Sequence, residues 1–305
     1  MPFTKEQLEH RRKFIGASES ASALGMSPWF SQVELYLSKI GEGEPIEETL
    51  PMMVGTALEP VTLTLFERET HLKAEERQQV FVDPTTDWRR CTVDGYVHSE
   101  RAIVEAKTSG DFRGWGEGGD EIPAYYLYNA QHSLACIPEA KKVMFPVLIG
   151  GRTFRIYEVQ RDEELIDLVR EGETEFMERV RQRIPPPPKD RADVLLLHPK
   201  DNGRSIEATA DIVALVTDHA KAKAREKALK EEIEFFAKGI TAFMGDAGTL
   251  KRVSLIGAQG AVIATWNSQT RRTIDSDLVR SRYPDVAKEC TKESTTRVLL
   301  NKLKG

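Results

Sequence analysis

The residues with the most chemical potential fall in two short runs, Thr92-Val93-Asp94-Gly95-Tyr96-Val97 and Ile103-Val104-Glu105-Ala106-Lys107-Thr108-Ser109. Both are β-type and a short polar turn joins them, so they are expected to pair as neighbouring antiparallel strands. On a strand, Glu105 and Lys107 point to one face while Val104 and Ala106 point to the other, and Asp94 on the partner strand can join the first pair. Two crowded carboxylates are unfavourable unless a cation sits between them. Hard oxygen ligands with room for water suit Mg²⁺ or Mn²⁺ rather than zinc. Such an ion lowers the pKa of a water, polarises a phosphoryl oxygen and stabilises the leaving oxygen, while a neighbouring lysine orients the attacking water or supports the developing charge. The implied chemistry is phosphodiester hydrolysis. The competing reading is an exposed strand face on which Glu105 and Lys107 form an ordinary ion pair.

The elements that must hold these side chains follow from hydrophobic periodicity. A helical opening ends near Phe14. Residues 15–25 read as a turn, a capped small-residue helix and a glycine stop, and 31–40 as an amphipathic helix. Residues 52–71 have helical spacing, with Pro60 in a first turn or at a kink. The period then changes to two through 79–83, 90–98 and 102–109, which read as strands. A helix over 123–137, a hairpin of 142–149 and 153–159 around Gly150-Gly151, and a long charged helix over 161–183 complete the set. The order predicts an α/β sandwich with a mixed sheet. Four prolines, Pro185 to Pro188, favour a stiff extended segment, which predicts a first domain over 1–184, a linker at 185–190 and a smaller α+β domain over 191–305. In that second part, 206–243 reads as a helix whose charge run Lys221–Glu232 is a solvated or coiled-coil-like face. A hairpin around Gly257–Gly260, a helix near 275–283 and a strand near 297–303 follow.

Composition limits the alternatives. With 305 residues, 40% apolar and 30% charged, the chain is neither disordered nor a membrane protein by composition, and nothing at its N-terminus resembles an export signal, so a cytoplasmic protein is expected. Cys91, Cys136 and Cys290 lie in no paired spacing, which argues against a zinc ribbon or a disulfide framework. The net charge of −5 confines any nucleic-acid binding to local basic patches and bound cations. One patch is 271–305, with nine Lys or Arg against five Asp or Glu. The glycine-rich loop 111–120 lacks the Lys-Ser/Thr ending of a phosphate-cradling loop. Its Phe112 and Trp115 either wedge against a DNA end or cap the core.

The pattern Asp…Glu-x-Lys on adjacent strands resembles the PD-(D/E)xK nuclease superfamily. Three further motifs, Ile15-Gly16-Ala17-Ser18, Gly55-Thr56-Ala57-Leu58-Glu59-Pro60, and Ile122-Pro123-Ala124-Tyr125 with Gln131-His132-Ser133-Leu134, occur in the order and approximate spacing of YqaJ-type viral recombinases, the group that includes lambda exonuclease. The resemblance covers about residues 11 to 160 and implies a restriction-endonuclease-like core. It implies Asp94 and Glu105 as metal ligands with the Ala106 carbonyl, Lys107 as the catalytic lysine, and Glu59 as an upstream acid completing the site from a helix. It further implies Ser18 as a DNA-phosphate contact, Arg11 or the adjacent Arg12 for a terminal 5′ phosphate, Gln131 positioning the scissile strand, and Tyr125 supporting it or filling the core. Ser18 also suits a helix N-cap, Glu59 a helix-start glutamate, and His132 packing rather than catalysis. Val93 stands where the superfamily's proline would be, and no ligand is lost by it. The resemblance implies an Mg²⁺-dependent (or Mn²⁺-dependent) exonuclease on double-stranded DNA ends, degrading one strand 5′ to 3′, working as a homo-oligomer with a single-strand annealing protein and with no membrane. A structure-selective endonuclease, or a DNA-end-binding module without catalysis, are the alternatives.

Overall fold

The computed structural model describes residues 9–43, 48–116, 121–251, 262–293 and 297–300. Its centre is a hairpin of β7 (Lys142–Ile149) and β8 (Thr153–Gln160), antiparallel from Lys142↔Gln160 to Ile149↔Thr153. Gly150 and Gly151, at φ 58° and 71°, supply the two left-handed residues that a tight hairpin turn needs. On the other edge of β7 lie β5 (Ala102–Val104) and β6 (Lys107–Ser109), both parallel to it, and β4 (Gly95–Val97) pairs antiparallel with β5. The sheet is mixed, as expected.

The run 102–109 is one strand with a gap. Its register against β7 is constant from Ala102↔Lys142 to Ser109↔Ile149, yet Glu105 and Ala106 belong to neither half. The Glu105 N–H still donates to the Met144 carbonyl at 2.9 Å. The next parallel ladder bond would run from the N–H of residue 146 to the Glu105 carbonyl, and residue 146 is proline, which has none. Sequence periodicity sees only the alternation and misses this interruption.

The run 90–98 likewise divides. Its first half, β3 (Arg89–Thr92), leaves the central sheet to pair with β1 (Ile15–Gly16) and β2 (Val80–Val82), while the second half is β4. Asp94 sits at the crossing between the two sheets.

Helices cover both faces of the central sheet. On one, α3 (Leu50–Thr70) buries Leu63 and Phe66 against Val97, Ala102, Val104 and Met144. Pro60 lies within α3, and the helix continues through it. On the other face, α4 (Ala124–Cys136) covers Ile103, Val143, Phe145, Val147 and Tyr157. A second cluster joins α1 (Ala17–Ala23), α2 (Gln32–Ile40) and α5 (Glu163–Gln182) through Ala23, Leu35, Tyr36, Phe176 and Met177. Burying a large side chain in such clusters contributes roughly 1.5–3 kcal/mol. That strength explains why the helices at 31–40 and 161–183 are legible from spacing.

The compact first unit runs past the prolines to His198, and a second unit comprises residues 199–305. The expected boundary at 184 is corrected for a physical reason. Helix α6 (Arg191–Leu197) is bonded to the first unit through the buried Asp193, whose Oδ1 accepts from the Ser31 hydroxyl at 2.6 Å. Pro186 is buried as well, so the proline segment is not a free spacer. The second unit contains α7 (Ala210–Met244), an antiparallel pair β9 (Thr249–Lys251) and β10 (Val262–Thr265), α8 (Ser276–Arg282) and α9 (Pro284–Glu289), an α+β set as expected. The tip of the expected hairpin, 257–260, lies outside the described residues. Residues 297–300 are not strand, and 301–303 lie outside the described residues. No described helix is long and apolar enough to cross a membrane.

Candidate active site

Alternation along the central sheet decides where the charged trio points. Ile103 and Tyr96 face α4, and Glu105, Lys107 and Asp94 share that parity. Val104 and Ala106 pack on the α3 side. The Lys107 Nζ donates to Glu105 Oε2 at 3.0 Å, with the two side chains only 23% and 15% exposed. Past Gly95, β4 offers Ala106 no strand partner, and the carboxylate of Asp94 takes its place, Oδ2 accepting from the Ala106 N–H at 2.9 Å. The three groups converge on one side of the sheet at the gap in the 102–109 strand.

Glu59, half-buried on α3, reaches the rim of this cluster. Its Oε1 accepts from the Gln78 side-chain amide at 2.8 Å, and the same side chain stands near enough to Asp94 to draw its carboxyl downward against burial. Gln78 is held in the left-handed region at φ 60° by its N–H to the Val93 carbonyl (2.8 Å), a conformation that costs a bulky residue about 1 kcal/mol or more. Gln78 is a site residue that sequence reasoning misses, because 71–79 reads only as a polar connection.

The electrostatics are those of crowded acids. Burial pushes the Glu105 carboxyl up to about 7 against the opposing pull of Lys107, and the charges of Asp94 and Glu59 add to the rise. Burial also raises Asp94 and Glu59, the latter helped by the charge of Asp94. Lys107 is held above its ordinary value, because Glu105 and Asp94 outweigh its own desolvation. Glu105 Oε1 is buried and has no hydrogen-bond partner. An orphaned carboxylate oxygen among like charges is the position a hard cation would satisfy. Among the described residues no three His, Cys, Asp or Glu side chains stand close enough to hold a metal by themselves. A pair of carboxylates with room for water and substrate phosphate is a donor set that a hard divalent cation takes. The residues present therefore fit a divalent cation bound chiefly by Asp94 and Glu105.

The other expected residues divide. Tyr125 is half-buried on α4 and stacks on Tyr126 at 4.4 Å between centroids. It is Tyr126, one position on, whose ring lies 5.7 Å from the Lys107 Nζ. Ser18 is exposed at the second position of α1, whose N-cap is Gly16. The Glu19 carboxylate accepts the Gly16 N–H at 3.0 Å, so the N-cap reading of Ser18 falls. Helix α1 docks on α4, where Asn129 Oδ1 accepts the Ala21 N–H at 3.3 Å. Arg11 lies 3.5 Å from Glu19, which also receives the buried Lys39 at 2.7 Å. Lys39 further bonds the carbonyls of Arg11 and Phe14. Arg12 is exposed, with its guanidinium beside Gly41.

Gln131 is not brought to the carboxylates. It is buried, its amide nitrogen donates to the Gln160 carbonyl at 2.8 Å, and its oxygen accepts from the Asp162 N–H at 3.1 Å. Gln160 pairs with Lys142, five residues along β7 from the Val147 that pairs with Lys107. Both polar ends of Gln131 thus fasten the turn from β8 into α5. Trp115 caps the core, its ring tilted against Tyr157 at 4.9 Å between centroids, while Phe112 is partly exposed.

His132 packs, as expected. Its ring contacts Glu173 at 2.7 Å and the Arg90 carbonyl at 2.8 Å. Both partners accept only, so both ring nitrogens donate and the imidazole is charged, in line with its raised pKa, where Glu173 overcomes the cost of burial.

Comparison with known proteins shows what the chain is similar to. Residues 6–140 match the YqaJ-like viral recombinase domain. The resemblance drawn from four ordered motifs is to this family. Over 303 residues the chain is 28% identical to the uncharacterized protein YqaJ of Bacillus subtilis (strain 168), covering 96% of this chain and 92% of that one. Similar solved structures include the alkaline exonuclease LHK-Exo from Laribacter hongkongensis, at 19% identity and a TM-score of 0.48 over 59% of this chain and 94% of that one. Another is a phage related exonuclease from Haemophilus somnus 129PT, at 15% identity and a TM-score of 0.46 over 56% and 95%. The stretch similar to that domain contains Glu59, Gln78, Asp94, Glu105 and Lys107.

Proposed function

We propose that the chain is a divalent-metal-dependent exonuclease of phage-type recombination, cytoplasmic in a bacterial host, that degrades one strand of linear duplex DNA from an end, 5′ to 3′. The single strand it leaves would serve an annealing protein. The observation that carries this reading is the convergence of Asp94, Glu105 and Lys107 at a strand gap, with one buried Glu105 oxygen lacking a partner. The family's printed description, a viral recombinase domain, supports the biological setting.

Bound at Asp94 and Glu105, Mg²⁺ (or Mn²⁺) would supply an activated water and charge stabilisation at the scissile phosphate. The Ala106 carbonyl is the backbone candidate to complete the shell. In an extended chain it points to the same side as the Ala106 N–H that Asp94 receives. Lys107, kept cationic by Glu105 and Asp94, orients the attacking water and supports the charge that develops on the phosphate. Glu105 holds that lysine in place, and Tyr126 covers its other side. Glu59 restrains the outer rim through Gln78. Ser18, with Arg11 or Arg12, would take DNA phosphates, and Tyr125 would support the strand being cut. Action from an end with a homo-oligomeric assembly completes the proposal.

The test is degradation of end-labelled linear duplex and covalently closed circles in Mg²⁺, with the label placed on the 5′ or the 3′ end. Loss of linear DNA alone, releasing the 5′ label first, is the expected result. Equal attack on circles would replace the exonuclease with an endonuclease on the same site.

A further inference from the structure

We infer that Lys39 is a positioning residue for Arg11: its buried ammonium takes up the charge of Glu19, so that Glu19 does not hold Arg11 away from the terminal phosphate of a DNA strand. The inference rests on the phosphate-binding reading of Arg11 in the proposed function and deepens it. Lysine is almost never buried unless its charge is met, and this one, 5% exposed in the last turn of α2, has three acceptors for its three N–H bonds. They are the Arg11 carbonyl at 2.9 Å, the Phe14 carbonyl at 2.5 Å and Glu19 Oε2 at 2.7 Å. The first two fix the backbone that carries Arg11. The third governs how strongly the Arg11 side chain is itself held.

Glu19 shares its oxygens unequally. Oε2 receives Lys39 and the Gly16 N–H at 3.0 Å, whereas Oε1 stands 3.5 Å from the Arg11 guanidinium, at the outer limit of a hydrogen bond. Lys39 is also the better shielded cation, its side chain 1% exposed against 37% for Arg11. Attraction strengthens as distance and local dielectric fall, so Lys39 does most to neutralise the carboxylate. The Arg90 guanidinium adds positive charge nearby, 5.3 Å from the Phe14 ring that Lys39 approaches to 5.7 Å. Arg11, Lys39 and Arg90 thus outweigh Glu19, a surplus suited to a terminal phosphate, which carries about −1.5 to −2 near neutral pH. Arg12 has no part in this arrangement, since its guanidinium lies beside Gly41 at the end of α2. Without Lys39, Arg11 would be the cation left to answer Glu19, and a phosphate would have to compete with that carboxylate.

The experiment measures binding of the full chain to internally labelled duplex DNA whose ends carry either a 5′-phosphate or a 5′-hydroxyl, by fluorescence anisotropy in buffer without divalent metal so that no strand is cut. The readout is the ratio of the two dissociation constants. The parent should favour phosphorylated ends. In Lys39→Met that preference should fall by about tenfold, the worth of one hydrogen bond to a charged group, as Glu19 closes on Arg11. Adding Glu19→Gln to the same chain should restore it, a recovery that loss of packing alone would not give. Glu19→Gln by itself keeps an acceptor for Lys39 and the Gly16 N–H and should raise the preference, and it decides the matter if thermal melting shows Lys39→Met to be unfolded. A parent that binds both ends alike would overturn the end-phosphate reading and the inference with it. If the parent discriminates, the reading stands, and the inference alone is overturned by any of three results: Lys39→Met discriminating as well as the parent, no recovery in the double variant, or no rise in Glu19→Gln.

Discussion

Two clusters in the first unit each set a buried aspartate and glutamate beside cations, and they differ in whether every oxygen has a donor. In the first, Asp83, Arg89, His132 and Glu173 join β3, α4 and α5. Glu173 meets Arg89 at 2.6 Å and His132 at 2.7 Å, and Asp83 meets Arg89, Arg170 and Thr85. Burial works against both acids, yet their partners overcome it and hold them below the usual carboxylate range. In the second, Asp94 and Glu105 are pushed upward, and one oxygen of Glu105 has no donor. A satisfied network rigidifies a core, whereas an unsatisfied one holds repulsion that a ligand can relieve. The contrast separates scaffold from candidate site without reference to any relative.

The largest expected effect falls on the unsatisfied cluster. Asp94→Ala and Lys107→Ala should each lower the initial rate on linear duplex by about 10³-fold, with thermal melting close to that of the parent. Activity equal to the parent's would remove these residues from the chemistry. The satisfied cluster should respond the other way. Glu173→Gln strands Arg89 and His132 in the interior and should cost about 3–5 kcal/mol in urea unfolding. If it costs under about 1 kcal/mol, the network is not structural in the sense drawn here.

Acidity sharpens the same contrast. Asp83 and Glu173 have lowered folded values, so their stabilisation is complete above the ordinary carboxylate range near 4 and is lost as pH falls through those lower values. His132 has a raised folded value, so its contribution is complete below about 6.5 and fades as pH rises through that higher value. Unfolding free energy should therefore fall away on both sides of a plateau, and Glu173→Gln should flatten the acid side. An acid limb as steep in the variant as in the parent would assign the acid sensitivity elsewhere.

Third in size is the joint between Glu59 and Asp94. Gln78→Leu keeps the side-chain volume but removes the amide that bonds Glu59 and draws on Asp94. Partners of this kind typically change metal affinity by about 10–100-fold. Calorimetric titration with Mn²⁺ reads this without any turnover, and unchanged affinity would reduce Gln78 to a loop residue.

How much of this is legible in the sequence depends on the range of the interaction. Glu105 and Lys107 can be read because two-residue spacing fixes a face, and the helices at 31–40 and 161–183 because their apolar periods are strong. Gln78 cannot be read, since its place depends on a left-handed turn and on Val93 fifteen residues away. Gln131 misleads for the same reason. Its motif position is that of a strand-positioning glutamine, but its bonds are set by where Gln160 and Asp162 arrive in space. The prolines at 185–188 read locally as a boundary, and only the contact from Asp193 to Ser31 shows that the first unit continues beyond them.

The gap at Glu105 and Ala106 has the same long-range character and gives the smallest expected effect. It arises on the facing strand, where Pro146 lacks the N–H that the Glu105 carbonyl would receive. Pro146→Ala supplies that donor, a bond of about 1 kcal/mol net, and loses part of a buried ring worth a similar amount, so overall stability should move little. What should change is local. Amide exchange at Ala106 and Lys107 should slow as the strand closes across the gap, while exchange at Ile103, already inside the ladder, stays the same. If Ala106 and Lys107 exchange as fast in the variant, the proline is not what holds the strand open beside the carboxylates, and the pull of Asp94 on the Ala106 N–H becomes the cause instead.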